Sequence, residues 1–446
     1  MGTNKMSKLG TRCLCLLVMV GGLLFVPGMW AAHVNPHTLN PQKSKSTKVS
    51  ESQRTRRRMH HLAASRSTAA RSTTAHSTGV RSTTVHSTAA HSATVHSTIT
   101  NKTTLRRTSA SSSQHRYRER FFMSSFAEGL TGGDITDGED PVVRQAAIDA
   151  LGNMNGTVVA IEPTSGRVLA MVNQKLALSS GAQPCSTIKL SVALAALNEG
   201  VVSKDTEVPL GGRSRMNLTE ALAHSNNAYF EALGRKLGFE KVAYYAHQYG
   251  LGELAGYDIP GEELGTYPEE VIPQTLGGVG KMCSFGEGIS MTPLQLGAMV
   301  SAIANGGTLY YLQHPTTPEE ITNFQPRIKR QLDIAPLIPE ISDGMAGAVQ
   351  YGTARRLGLN FSEESILGKT GTCSHAGTRF GWFASYANTS SGRIVVVIFL
   401  QGGRPTFGPK AAEIAGLMYR NLYDHNFFVA ATPLDTTASR PTQTTP

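Results

Sequence analysis

The chain has 446 residues, of which 40% are hydrophobic and 17% charged, and a formal net charge of +10. Those proportions exclude a wholly disordered chain and a polytopic membrane protein, and the length allows one or two domains with a sizeable core. The charge is unevenly placed. Residues 1–120 hold 19 Lys and Arg against Glu51 and Glu119, a balance of +17, whereas residues 121–446 balance to −7. A nucleic-acid-binding domain carries its basic patch on the folded body. Here the body is acidic, and no nucleic-acid partner is expected.

Lys5, Lys8 and Arg12 precede an apolar stretch from Cys13 to Ala32, long enough to cross a bilayer with the basic flank inside. Residues 1–32 are therefore expected to be an uncleaved membrane anchor. A cleaved signal peptide is the alternative, although Met29 or Trp30 would then stand where cleavage wants a small residue. Either way the remainder is exported, and release from the membrane follows only if the segment is cleaved.

Residues 33–118 are polar and repetitive, with Arg66, Arg71, His76, Arg81, His86, His91 and His96 each opening a five-residue unit. A period of five builds no face on a helix or a strand, and there is little apolar surface to offset the entropy of ordering. The segment is expected to be a disordered tether; metal or wall-polymer binding is the alternative for its His/Arg/Ser repeat. A flexible chain of that length spans roughly 50 Å end to end.

A globular body is expected over 119–428, followed by a disordered tail, 429–446. A helix is predicted at Glu139–Leu151, and strands Thr157–Glu162 and Arg167–Val172 joined by a turn at Pro163–Gly166 form a hairpin. Thr187–Glu199 reads as a helix apolar nearly all round, and so buried. Helical patterns follow at 217–250, 292–304 and 338–357, strands at 365–372, 380–387 and 392–400, and a helix at 409–423. Strands at both ends of the body with helices between them argue for an α+β domain whose sheet joins distant segments.

Five cysteines occur, with no Cys-x-x-Cys pair and no histidine at ligand spacing, so neither a metal site nor a cofactor is expected. Cys185, Cys283 and Cys373 fall in the body, an odd number.

Three short patterns can carry chemistry. Ser186-Thr-Ile-Lys189 opens the buried helix, and a spacing of three puts both side chains on one face. A hydroxyl beside a partly desolvated lysine is a nucleophile beside a base. Alone the pattern is weak, because a chain of this size contains about one by chance. Ser225-Asn-Asn227 offers a hydroxyl for proton relay and an amide for a peptide group, although such residues also serve as ordinary caps. Lys369-Thr-Gly-Thr372 lies on a strand, combining a cation, two hydroxyls and a glycine that admits close backbone approach.

In this order the three patterns resemble those of the penicillin-binding proteins and serine β-lactamases. The flanks Gly286–Gln295, Ala304–Gly307, Gly352-Thr-Ala354 and Gly381-Trp-Phe383 resemble the transpeptidase domain in particular. The resemblance covers roughly 130–425. It implies a β-lactamase/transpeptidase-like α+β fold, with an antiparallel sheet of about five strands flanked by helices and a mainly helical subdomain. It also implies Ser186 as acyl-accepting nucleophile, Lys189 as its base, and Ser225 and Lys369 as a proton route to the leaving D-alanine. Asn227 would bind the donor peptide, and Thr370, Gly371 and Thr372 would line the seat of the terminal carboxylate. The backbone N–H groups of Ser186 and Thr372 would form the oxyanion hole.

The implied activity is peptidoglycan D,D-transpeptidation on stem peptides ending in D-Ala-D-Ala, with β-lactams as covalent inhibitors. A D,D-carboxypeptidase or a β-lactamase-like hydrolase would use the same residues. A non-catalytic wall-binding or β-lactam-sensing protein is the alternative of another class. Two positions depart from the family pattern: Cys185 stands where glycine is usual and Ile188 where phenylalanine is usual. No glycosyltransferase or large pedestal domain is expected before the body. Because Cys185 and Cys373 both flank site motifs, the implied fold brings them near each other, and a disulfide between them is an expectation for an exported chain.

Overall fold

The structure is a computed structural model that describes residues 120–389 and 392–428. The expected anchor, tether and C-terminal tail lie outside those residues. Among the described residues no helix is long and apolar enough to cross a membrane.

The first helix, α1 (Pro141–Leu151), starts where Asp140 accepts the N–H groups of Val142 and Val143 and ends at Gly152, which adopts φ 56°. Strands β1 (Gly156–Glu162) and β2 (Arg167–Val172) form the expected antiparallel hairpin. After the short α2 (Gln174–Ala177), a 3₁₀ turn at Cys185–Ile188 runs into α3 (Lys189–Asn198), which is buried from Lys189 through Leu197. A small hairpin follows, of β3 (Val208–Gly211) and β4 (Ser214–Met216).

The helical pattern at 217–250 is three helices: α4 (Leu218–Ala223), α5 (Asn227–Leu237) and α6 (Phe239–Gln248). The first break falls at Ser225, held at φ 54°, with Asn226 accepting the Tyr229 N–H to start α5. The second falls at Gly238, with φ 79°. Helices α7 (Gly278–Phe285) and α8 (Pro293–Asn305) follow, the latter opened by a capping box between Thr292 and Gln295. Strands β5 (Thr308–Tyr310) and β6 (Ile328–Gln331) pair across α9 (Pro318–Thr322). Then come α10 (Ile338–Gln350) and a 3₁₀ turn at Arg355–Leu359. The chain closes with β7 (Ile366–His375), β8 (Thr378–Thr389), β9 (Gly392–Gly402) and α11 (Gly408–Asp424).

The main sheet has the order β2-β1-β9-β8-β7 and is antiparallel throughout, as expected. Both faces of its middle are covered, which explains the unbroken apolar run Ile394–Leu400. Val395, Val397 and Phe399 join the core formed with α3 and α8. Ile394, Val396, Ile398 and Leu400 join the core formed with α1 and α11. Trp382 on β8 is fully buried and stacks on Phe399, with ring centroids 4.0 Å apart. A substitution to alanine in such a pair costs about 3–5 kcal/mol. Strand β7 is left at the sheet edge.

Candidate active site

The site lies where the turn that opens α3 meets β7. Cys185 and Cys373 form a disulfide with a Cα–Cα distance of 5.5 Å, joining the residue before Ser186 to the residue after Thr372. The turn is held to the sheet a second time by the Trp382 indole N–H, which donates to the Gln183 carbonyl at 3.0 Å. At Gly371 a Cβ would come within 2.9 Å of the Pro184 carbonyl and 3.2 Å of the Thr187 side chain, so glycine is what lets strand and turn approach. Cys185 itself sits at φ 52°, a left-handed conformation that a glycine would adopt without strain. Of the three body cysteines, Cys283 is left free and buried.

Three of the expected residues converge on the amine of a fourth. Lys189 Nζ lies 2.9 Å from Ser186 Oγ, 3.1 Å from Ser225 Oγ and 2.6 Å from Asn227 Oδ1, and it also donates to the Ser225 carbonyl at 2.8 Å. Positive φ at Ser225 and the immediate start of α5 at Asn227 are what turn these groups toward α3. From the other side Lys369 Nζ donates to Ser225 Oγ at 2.8 Å and to the Thr370 carbonyl at 3.0 Å. Ser225 Oγ thus bridges the two lysines.

Both lysines are fully buried, and neither forms an ion pair among the described residues. Burial holds the Lys189 amine well below the ordinary lysine range; the nearby charge of Lys369 pushes it further down, with Glu231 acting in the opposite direction. Burial lowers Lys369 to about 7. A neutral amine has a lone pair, so Lys189 can accept the Ser186 hydroxyl proton across 2.9 Å while donating to Asn227 and Ser225.

The remaining expected residues lie along β7 rather than around Lys189. Thr370 is buried, and its hydroxyl oxygen sits 2.6 Å from that of Thr353. The Thr372 hydroxyl accepts the Gly408 N–H at 2.8 Å, which leaves its own proton free to donate. Asn227, expected on the donor peptide, spends its carbonyl oxygen on Lys189 and keeps its NH₂ for a ligand. Sequence reasoning noted Thr353 and Trp382 only as parts of flanking patterns and missed Gly408. Their contacts join residues far apart in the chain, so no local spacing reveals them.

The profile of the penicillin-binding protein transpeptidase domain matches residues 156–420, more than half of the chain. Stage V sporulation protein D of Bacillus subtilis is 27% identical over 316 residues, covering 59% of this chain and 48% of that protein. Peptidoglycan D,D-transpeptidase PbpA of Mycolicibacterium smegmatis is 25% identical over 364 residues, covering 64% of this chain and 72% of the relative. Peptidoglycan D,D-transpeptidase MrdA of Acinetobacter baumannii is 24% identical, covering 64% and 53%. The chain thus spans about half the length of two of these relatives.

Among solved structures, a peptidoglycan glycosyltransferase from Burkholderia ambifaria superposes with a TM-score of 0.55 at 20% identity, covering 66% of this chain and 99% of that one. PBP2 of Pseudomonas aeruginosa, in complex with WCK 5153, gives a TM-score of 0.54 at 24% identity, covering 64% and 74%. These likenesses show the transpeptidase fold. The profile match over the strands and helices that build the site shows more: this chain belongs to the penicillin-binding protein transpeptidase family.

Proposed function

We propose that the protein is a serine peptidoglycan D,D-transpeptidase that acts on stem peptides ending in D-Ala-D-Ala. The observation that carries this reading is the buried, unpaired Lys189 amine within hydrogen-bond reach of Ser186, Ser225 and Asn227. Lys189 takes the Ser186 proton, and Oγ attacks the carbonyl carbon of the penultimate D-alanine. The resulting oxyanion is held by the Ser186 and Thr372 N–H groups, each such donor contributing about 3 kcal/mol in related acyl transfer.

The proton then passes from Lys189 through the Ser225 hydroxyl to the nitrogen of the terminal D-alanine, the C–N bond breaks, and free D-alanine leaves. Lys369, Thr370 and Thr372 seat the carboxylate, and Asn227 binds the donor peptide through its NH₂. An amine of a second stem peptide attacks the ester, returns its proton to Lys189 and frees Ser186. A β-lactam enters the same first step, but its leaving nitrogen stays tethered in the adduct, and the acyl-enzyme persists.

The apolar Cys13–Ala32 stretch would hold the enzyme at the membrane, and the basic repeat segment would carry the acidic body outward toward the wall. Incubating the protein with a D-Ala-D-Ala pentapeptide, with and without an amine acceptor, tests the reading. Cross-linked product is expected; release of D-alanine without it would make the protein a carboxypeptidase. Fluorescent penicillin should label the wild type and not Ser186→Ala, and an unlabelled wild type would remove the catalytic reading altogether.

A further inference from the structure

Thr353 belongs to none of the three site patterns, yet it closes a ring of contacts that connects two of them. Lys369 Nζ bonds Ser225 Oγ and the Thr370 carbonyl, and the Thr370 hydroxyl meets that of Thr353. The Thr353 N–H in turn donates to the Ala223 carbonyl at 3.1 Å, two residues before Ser225. Its backbone is fixed on both sides. The Gly352 N–H donates to Gly347 and the Ala354 N–H to Ala348, at 2.8 and 2.7 Å. A Cβ on Gly352 would fall 2.1 Å from the Ala223 carbonyl, so the end of α10 lies directly against the end of α4.

We propose that Thr353 is a positioning residue that, by donating to Thr370, leaves the Thr370 hydroxyl proton for a ligand. Two hydroxyl oxygens 2.6 Å apart share one proton between them. If Thr370 donated to Thr353, its only proton would be directed into the protein and away from a ligand. If Thr353 donates, Thr370 acts as acceptor and keeps its proton for a carboxylate seated on β7. A charged acceptor selects the second arrangement, because a hydrogen bond to an anion is the stronger of the two. Thr353 then acts on substrate only through Thr370, and only on the part of the substrate that carries the carboxylate. This inference rests on the reading of β7 as the carboxylate seat.

The test uses the full chain and two thioester acyl donors that differ only in ending in a free carboxylate or a carboxamide. Acylation of Ser186 is followed through the released thiol. Thr353→Val should lower kcat/KM for the carboxylate donor about tenfold and for the carboxamide by no more than about twofold. Thr353→Ser should restore the wild-type ratio. The ratio is read within each variant, so a reduced folded fraction cancels. A Thr353→Val ratio equal to wild type overturns the proposal, whether both rates fall together or neither changes, and so does a serine variant that fails to restore it. A wild type that is acylated by neither donor removes the underlying reading instead.

Discussion

Two clusters of buried polar groups lie in this body, and they treat charge in opposite ways. At one, the Arg144 guanidinium is paired with Asp134 at 2.9 Å and Glu139 at 2.7 Å, and His314 meets Glu139 at 3.0 Å. The carboxylates are satisfied further by backbone N–H groups of Met171, Asn173 and Gln174. Burial alone would depress the Arg144 guanidinium, but the hydrogen bonds and charges of its two acids outweigh it and raise it. At the other, Lys189 and Lys369 are buried beside each other with hydroxyls, carbonyls and an amide in place of acids, and both are lowered. The compensated cluster keeps its charge and fastens α1 to β2. The uncompensated one gives up charge more readily, Lys189 most of all, and so can offer the lone pair that a base needs.

That contrast can be broken most sharply at Lys189. Lys189→Met should slow acylation of Ser186 by penicillin by about 10⁴-fold in stopped-flow measurements. The thermal midpoint should hold or rise, because an uncompensated buried amine is removed. A midpoint that collapses would mean that the lysine is structural. Glu139→Gln should do the reverse. Leaving Arg144 short of a partner costs roughly 3–5 kcal/mol of stability in urea titrations, with acylation per folded molecule unchanged.

Replacing both Cys185 and Cys373 with alanine should remove about 2–4 kcal/mol of stability and slow acylation, since the bond spans the turn and the strand that make the site. Equal unfolding curves with and without reductant would show that the bond contributes nothing. The smallest effect concerns pH. With Lys189 as the proposed base, acylation needs its neutral amine, so the rate should rise with pH through the lowered pKa of that amine, and a protonated Lys369 keeps that pKa down. Lys369→Met should therefore move the acid limb to higher pH. In the wild type, carboxylate-bearing ligands should also lose rate as Lys369 deprotonates around pH 7, and that alkaline limb should vanish in the variant. An unmoved acid limb would deny the coupling between the two lysines.

What could be read from the amino-acid order follows from range. The five main strands, α1, α8 and α11 are local patterns strong enough to show themselves, and each of the three site motifs lies within four consecutive residues. Within 217–250 the Ser225-Asn-Asn227 cap pattern marks the first break, where the backbone turns left-handed, and Gly238 makes the second. The β3–β4 and β5–β6 pairs are short and mostly exposed, with little alternation to detect. The His314–Glu139 pair and the Thr353–Thr370 contact are tertiary facts that no window of sequence contains.

The pairing of β1 with β9 also sets a timetable. Val158 lies opposite Ile398, so the first strand pairs with β2 at once but finds its second neighbour only when nearly the whole body is available. Such long-range pairing makes folding slow compared with helical domains. The nucleophile turn is made early in the chain, and its disulfide partner and Lys369 arrive late. A chain emerging N-terminus first would therefore present Ser186, the proposed nucleophile, before the site around it is complete. On the proposed mechanism reactivity would arrive only with the C-terminal strands, and a body truncated before Gly402 should be inert toward penicillin.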